Sequence, residues 1–339
     1  MMNITDIANI VGVSPATVSN ALNDRKGVSE DTKQKILKIA KESGYFKEST
    51  INNTQKSIRF IIYKKHGLVV SDTPFFSSLI EGIENECRNQ GYHLLISHVY
   101  HSECEDIINM VHADHSQGLI ILATEMSLDD LTSFREVSIP IVLLDSHFKG
   151  EDFDCVLINN MDASYKATKY LVEKGHRQIG HLHSAVFINN FNERKMGFRD
   201  ALYDCKIDFN PQFDFFLEPT MEGSYRDMKI QLEKDDIKLP TAFFADNDII
   251  AFGAMRAMKE RDIKIPQDVS IVGFDDMPFC EITSPRLTTI KVFKQDIGGA
   301  AVRRLLYNIE FGRDRITQKI EVNTELMIRD SVLELKSSI

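Results

Sequence analysis

Over the first 46 residues the apolar positions recur at helical spacing; from Ile58 onward they gather into short runs separated by amphipathic stretches. Ile4, Ile7, Ala8 and Val11 fall at i, i+3, i+4 and i+7 and so share one helix face. Gly12 breaks that helix. Ser14 then stands as an N-cap with Pro15 at the first helical position, where a missing N–H costs nothing. Val13 and Val18 are spaced to close as a hydrophobic staple, so a second helix is expected from Pro15 to about Leu22. Ser29 opens a third, from Glu30 to Ser43, with Gly44 as its stop. A helix, a tight glycine turn and a second capped helix make a helix-turn-helix.

Beyond Ile58 the runs SIRFIIY, HLLIS, GLIILA and IPIVLLD alternate with helical patterns, and a second series beginning near Asn160 contains RQIGHLH, DFDFFLE, TAFFAD and VSIVGFD. Nearly continuous apolar strands between helices indicate a parallel sheet covered on both faces. The expected fold class is therefore α/β, with two doubly wound parallel-sheet subdomains facing each other across a cleft, and a small all-α head. Ligands of such sheets bind at the C-terminal ends of the strands.

Composition adds a few exclusions. The 339 residues are 43% hydrophobic and 27% charged, which suits two large domains and a small one rather than a disordered or fibrous chain. No apolar run approaches the ~18 residues of a membrane span. The N-terminal stretch lacks a basic region and a small-residue cleavage site, so a cytoplasmic protein is expected. The five cysteines are scattered without a C-x-x-C pair and read as free thiols. The net charge of −10 argues against nucleic acid, but residues 1–57 carry +2 and the remainder −12. That asymmetry permits a DNA-binding head.

On the second helix Ser14, Ala16, Thr17, Ser19 and Asn20 face outward, where short polar groups reach base edges and the Ala16 and Thr17 methyls meet thymine methyls. Asn20 suits a bidentate contact to adenine or a phosphate. The string NITDIANIVGVSPATVSNALNDRKGVSEDTKQKILKIAKESGY closely resembles the head of the LacI/GalR family of bacterial transcriptional regulators. Thr5, Asp6, Ile7, Ala8, Gly12, Val13, Ser14, Thr17, Val18, Ser19, Leu22 and Asn23 carry the match, and it adds Thr5 and Asn23 to the DNA-facing set. Many members have Arg or His where this chain has Asn20, so their operator sequence does not transfer.

The following segment departs from the family pattern. Members usually continue with P-N-x-x-A-R-x-L, a hinge that becomes helical on DNA and wedges its Leu into the minor groove. Here Lys47 and Glu48 replace Pro-Asn, Ile51 and Asn52 stand at the Ala-Arg positions, and Thr54 takes the Leu position. An apolar wedge offsets the cost of unstacking by bending the site, and Thr54 is poorly suited to it. Either Ile51, one turn earlier, serves as the wedge, or the segment is a flexible tether.

The resemblance covers nearly the whole chain and implies a head at 1–46, a hinge at 47–57 and an effector-binding and dimerisation domain at 58–339, similar to periplasmic sugar-binding proteins. It places chain crossings near Asn159, Thr289 and Gln318. The N-subdomain would span about 58–158 and 290–317, the C-subdomain about 160–288 and 319–330. Five strand-end segments converge on the cleft. Asp72, Phe75 and Phe76 follow the first strand, where aromatic faces suit sugar C–H faces and Asp accepts from hydroxyls; core packing serves either Phe equally. Asp145 ends the strand PIVLLD. By the resemblance Arg194 in R-x-x-G-F, the pair Asn247-Asp248 and Asp275 in G-F-D-D reach the effector. Several carboxylates around one Arg suit a neutral polyol better than an anion, which points to a sugar.

His98, His101, Cys104, His112 and His115 crowd one stretch, but none forms an i, i+4 pair on a clear helix. No metal and no cofactor are expected. No catalytic constellation is recognisable, so the chain does not read as an enzyme. Some members append a leucine-heptad tail for tetramers; only Val332, Leu333 and Leu335 remain here, and a homodimer on a pseudo-palindromic double-stranded operator is expected. The reading is a repressor of carbohydrate-utilisation genes released by a sugar. Two others stand beside it: a global carbon-catabolite regulator held on DNA by a phosphorylated carrier protein, and a binding protein whose head no longer reads DNA.

Overall fold

The computed structural model describes residues 4–22, 28–43, 56–70, 74–103, 109–111, 115–234, 237–312 and 316–335. The chain divides into two compact units, 1–56 and 57–339.

In the smaller unit, α1 (Ile4–Val11), α2 (Pro15–Leu22) and α3 (Glu30–Glu42) follow the capping pattern of the sequence. The Ser14 hydroxyl accepts the Thr17 N–H at 3.1 Å, and Gly12 turns the chain at φ 76°, a conformation a Cβ disfavours. Ile7, Ala8, Val18, Ala21, Ile36 and Ala40 form the core, with Ile4, Val11 and Val13 packed against it. These three helices therefore bury one apolar stripe each.

The larger unit holds two six-stranded sheets. The first comprises β1 (Ser57–Lys64), β2 (His93–Tyr100), β3 (Leu119–Leu122), β4 (Ile141–Leu144), β5 (Asp154–Ile158) and β11 (Lys319–Val322). The second comprises β6 (Ile179–Ser184), β7 (Asp214–Leu217), β8 (Ala242–Ala245), β9 (Ser270–Asp275), β10 (Thr288–Lys291) and β12 (Glu325–Met327). Their orders are β2-β1-β3-β4-β5-β11 and β7-β6-β8-β9-β10-β12, the same winding twice. All pairings are parallel except that of β12 with β10. In β1, Ile58, Phe60 and Ile62 enter one core cluster and Ile61 and Tyr63 another. That alternation, with both faces buried, is why the strand reads as a nearly continuous apolar run, interrupted by Arg59.

Helix α4 (Pro74–Asn89) packs on α9 (Lys294–Phe311) against the first sheet. Helices α5 (Asn160–Glu173) and α6 (Asn189–Asp204) pair on the second, as do α7 (Met221–Leu232) and α8 (Asp248–Glu260). The chain passes between sheets after β5, after β10 and after β11. Because β10 pairs with β9 through Lys291, and β11 pairs with β5 from Lys319, the second passage falls after Lys291 and the third after Val322. Residues 319–322 thus belong to the first subdomain, not the second, a correction to the expected boundary near Gln318. The Val332–Leu335 remnant forms no helix. It lies along the second subdomain, where Leu333 N donates to Ser270 Oγ at 2.9 Å and Leu335 N to the Lys174 carbonyl at 2.8 Å.

Candidate functional site

In a sheet wound in this order, helices change faces between the first and third strands, and the crevice left at those C-terminal ends admits a ligand. Both sheets open that crevice onto one cavity of about 350 Å³. The first contributes Gly67, Leu68 and Val69 after β1, Phe75 and Phe76 on α4, Thr124 after β3 and Asp145 after β4. The second contributes Ile188, Asn190, Phe191 and Arg194 around α6, Pro219 to Met221 after β7, Asn247 after β8, Ile249 on α8, Asp275 at the end of β9 and Met277 beyond it.

Two carboxylates stand at strand ends in left-handed backbone, Asp145 at φ 65° and Asp275 at φ 111°. Such conformations cost on the order of 1–3 kcal/mol and gather at functional sites. Asp145 accepts the Thr124 hydroxyl at 2.6 Å and the Asn190 amide at 2.9 Å. Burial pushes its carboxyl up to about 6 despite those bonds and the nearby Arg194 charge. Asp275 is also raised by burial, against the pull of Arg194 and Lys294. Its Oδ1 is buried without a hydrogen-bond partner and lies 3.6 Å from Arg194 NH2. Lys294 Nζ bonds to the carbonyls of Asp275 and Asp276 and so braces this strand end.

Arg194 is held on every side but one. Its Nε donates to Asn160 Oδ1 at 2.9 Å and its NH1 to the Asp246 carbonyl at 2.5 Å. Its guanidinium stacks 3.6 Å over the Phe274 ring. The fork is thereby preorganised, with NH2 left beside Asp275 at the cavity wall. Phe75 and Phe76 meet edge-to-face with centroids 5.0 Å apart and supply an aromatic surface opposite.

The loop of Gly67, Leu68 and Val69 is shaped by a residue that the sequence reading passed over. Buried Glu125 accepts N–H groups of Lys65, His66 and Gly67 on Oε2 and of Val69 and Val70 on Oε1, all at 2.8–3.0 Å. Burial alone would raise this carboxyl, but the backbone amides more than offset it and the pKa is lowered. Asn190 and Phe191 were also missed, although they lie four and three residues before Arg194 on the same helix, a spacing that brings them to its face.

Of the expected effector residues, Phe75, Phe76, Asp145, Arg194, Asn247 and Asp275 line the cavity. Asn247 commits its Oδ1 to capping α8 through Ile250 N at 2.8 Å. Asp248 does not face the cavity, a correction to the expected set. At the first position of α8 its fully buried carboxyl is taken up by other partners, accepting from Met277 N at 2.8 Å, Thr289 Oγ1 at 2.6 Å and Cys280 Sγ at 3.1 Å. Gly273 leaves it room, since a Cβ there would come within 2.2 Å of Asp248 Oδ1. Burial and the Asp275 charge raise Asp248 to about 7. Asp72 lies outside the described residues.

On the head, Thr5, Ser14 and Ala16 are exposed, and Thr17, Ser19 and Asn20 half-buried. Ser14 Oγ and Thr17 Oγ1 are 2.8 Å apart. Asn23 and Ile51 lie outside the described residues, as do Cys104 and His112 of the histidine-rich stretch. His98 and His101 are exposed, on β2 and just beyond it.

Comparison with known proteins places both units. A model of bacterial regulatory proteins of the lacI family matches residues 3–48, and a model of a periplasmic binding protein-like domain matches residues 168–332. The HTH-type transcriptional repressor PurR of Mannheimia succiniciproducens is 31% identical over 344 residues, covering 99% of this chain and 100% of that protein. The structure of the lac repressor dimer bound to operator and the anti-inducer ONPF covers 98% of this chain and 99% of its own, at 23% identity and a TM-score of 0.74. A LacI family transcriptional regulator from Enterococcus faecium with bound ribose covers 83% of this chain and 100% of its own, at 25% identity and a TM-score of 0.71.

Proposed function

The chain belongs to the lacI family of bacterial regulatory proteins and is a DNA-binding transcriptional repressor, and from that premise we propose that a neutral sugar in the cleft of the larger unit releases it from its operator. The observation that carries the reading is the Arg194–Asp275 pair. Arg194 and Asp275 both line a cavity otherwise rich in Phe and aliphatic side chains, with the guanidinium NH2 3.6 Å from the buried Oδ1 of the carboxylate. Neighbouring hydroxyls on a ring engage both groups at once, one accepting from the guanidinium and the next donating to the carboxylate, while Phe75 and Phe76 cover the C–H face. A phosphate or carboxylate ligand would bring further negative charge against Asp145 and Asp275 with Arg194 as its only counter-charge among the described lining residues. The ribose in the Enterococcus faecium regulator supports the same ligand class.

In this reading two heads of a homodimer meet the halves of a pseudo-palindromic operator. Thr5, Ser14, Ala16, Thr17, Ser19, Asn20 and Asn23 face the DNA, and Ile51 is the apolar residue available to the hinge. The sugar acts by binding the operator-competent and released arrangements with different affinity, a coupling typically worth about 1–3 kcal/mol.

A thermal-shift panel of sugars, sugar phosphates and purines tests it, with Asp275→Ala as control. A ligand that binds the folded state raises the melting temperature by mass action. The expected result is stabilisation by a plain sugar, lost in Asp275→Ala, with release of operator at the same concentrations. Stabilisation by a phosphorylated ligand or a purine in preference to every plain sugar overturns the ligand class. If no compound binds, a protein corepressor takes the place of the cleft.

A further inference from the structure

Beneath Arg194 lies a second polar cluster that plays no part in lining the cavity. His181 and His183 alternate along β6 and therefore project to the same face of the second sheet. Asp246 directly follows β8, the strand beside them, and Asp214 sits opposite His181 on β7. His181 Nε2 is 2.7 Å from Asp246 Oδ1, and His183 Nδ1 is 2.7 Å from Asp246 Oδ2. His181 and Asp246 are fully buried, and the His183 side chain retains 12% exposure.

Hydrogen bonding within the cluster is incomplete. His181 Nδ1, His183 Nδ1 and Asp214 Oδ1 are buried without a hydrogen-bond partner. The His183 contact thus lies close to Asp246 but off the hydrogen-bond direction. Buried polar groups are ordinarily satisfied; His181 Nδ1 and Asp214 Oδ1 face each other at 3.8 Å, which leaves His183 Nδ1, beside Asp246, as the orphan that an ion would satisfy. One ligand atom each from His181, His183 and Asp246 lies within 4.8 Å of the others, near enough for small side-chain rotations to bring them around one ion.

We propose that His181, His183 and Asp246 bind a transition-metal ion of the Zn²⁺ class. Two imidazoles and a carboxylate are the donor set of such ions rather than of Ca²⁺ or Mg²⁺, which take oxygen. Asp214 supplies the outer partner that ligating histidines usually have, since its Oδ1 is 3.8 Å from His181 Nδ1, the ring nitrogen turned away from Asp246. Ions enter beside His183, whose ring meets that of exposed Phe216 at 5.1 Å. The Asp246 carbonyl accepts from Arg194 NH1, so an ion here braces the strand end that orients Arg194. This site stands independently of which ligand occupies the cleft.

Co²⁺ titration of the chelator-treated full chain tests the site through its visible d–d bands. One equivalent is expected to give bands that Zn²⁺ abolishes. His183→Ala, at the exposed edge of the cluster, should weaken Co²⁺ binding at least about 100-fold, and Asp214→Asn by roughly 10-fold to 100-fold. A His98→Ala, His101→Ala double variant should bind as the parent does. Binding that survives in His183→Ala, or a parent that takes up no Co²⁺, overturns the proposal. Should His183→Ala misfold, the parent decides through its imidazole NMR: Zn²⁺ must shift the His181 and His183 resonances, and unchanged resonances overturn the site.

Discussion

Three neighbouring aspartates in the cleft region serve three different ends because their surroundings differ. Asp275 lines the cavity and faces Arg194, with its Oδ1 3.6 Å from NH2. Asp246 accepts from His181 and from Ser184 N, and its carboxyl is held far below the ordinary carboxylate range by the two imidazoles, against the opposing effect of burial. Asp248 is enclosed and raised to about 7. For a carboxyl raised in the fold, the native state binds more protons than the unfolded chain between the unfolded value near 3.8 and the folded value. Its contribution therefore improves as pH falls through that window and worsens as pH rises. Comparing parent with Asp248→Asn by urea unfolding between pH 8 and pH 5 isolates this contribution. The parent should gain on the variant toward pH 5, with a slope of at most about 1.4 kcal/mol per pH unit. A difference that does not change with pH rejects the assignment.

At the scale of elements, the site depends on how loops are fastened to strands. Glu125 gathers five backbone amides of the segment after β1, converting it into a fixed wall of the cavity. Glu125→Gln turns an amide toward some of those N–H donors and leaves them unmatched, at a cost of about 1–3 kcal/mol for each buried group left unsatisfied. Hydrogen exchange should accelerate at residues 65–70 while α5 to α8 keep the protection of the parent. Unchanged exchange at 65–70 would show that the loop holds its shape without the carboxylate. Helix packing imposes its own limits. A Cβ at Gly82 would stand 2.2 Å from the Gln295 carbonyl and one at Gly197 2.1 Å from that of Met161, so α4–α9 and α5–α6 approach at glycine.

The molecule as a whole joins a head of +2 to a body of −12. Counterion release by Lys and Arg is the general source of salt-dependent affinity for DNA, and two heads would double such contacts. A fluorescence-anisotropy series in KCl should give a linear fall of log K with log salt. Substituting a head lysine such as Lys33 by Ala should reduce the slope magnitude by about 1 if that residue meets a phosphate. An unaltered slope places Lys33 away from the backbone.

The elements were legible from sequence because their causes are local. Ser14 and Pro15 start α2, Gly12 ends α1, and apolar runs covered on both faces announce parallel strands. The strand-end carboxylates were legible too, since Asp145 and Asp275 sit where an open α/β sheet presents its crevice, whereas Arg194, on α6, was reached through the family pattern. Which side chain turns into the cleft was decided by contacts distant in sequence. Asp248 is claimed by Thr289 and Cys280, and Asp246 by His181. Glu125 reaches its loop across more than fifty residues. The place where β11 joins β5 depends likewise on pairing across the chain. Period and capping are written within a few neighbouring residues, whereas the direction of a buried polar side chain follows from the partners that folding brings to it.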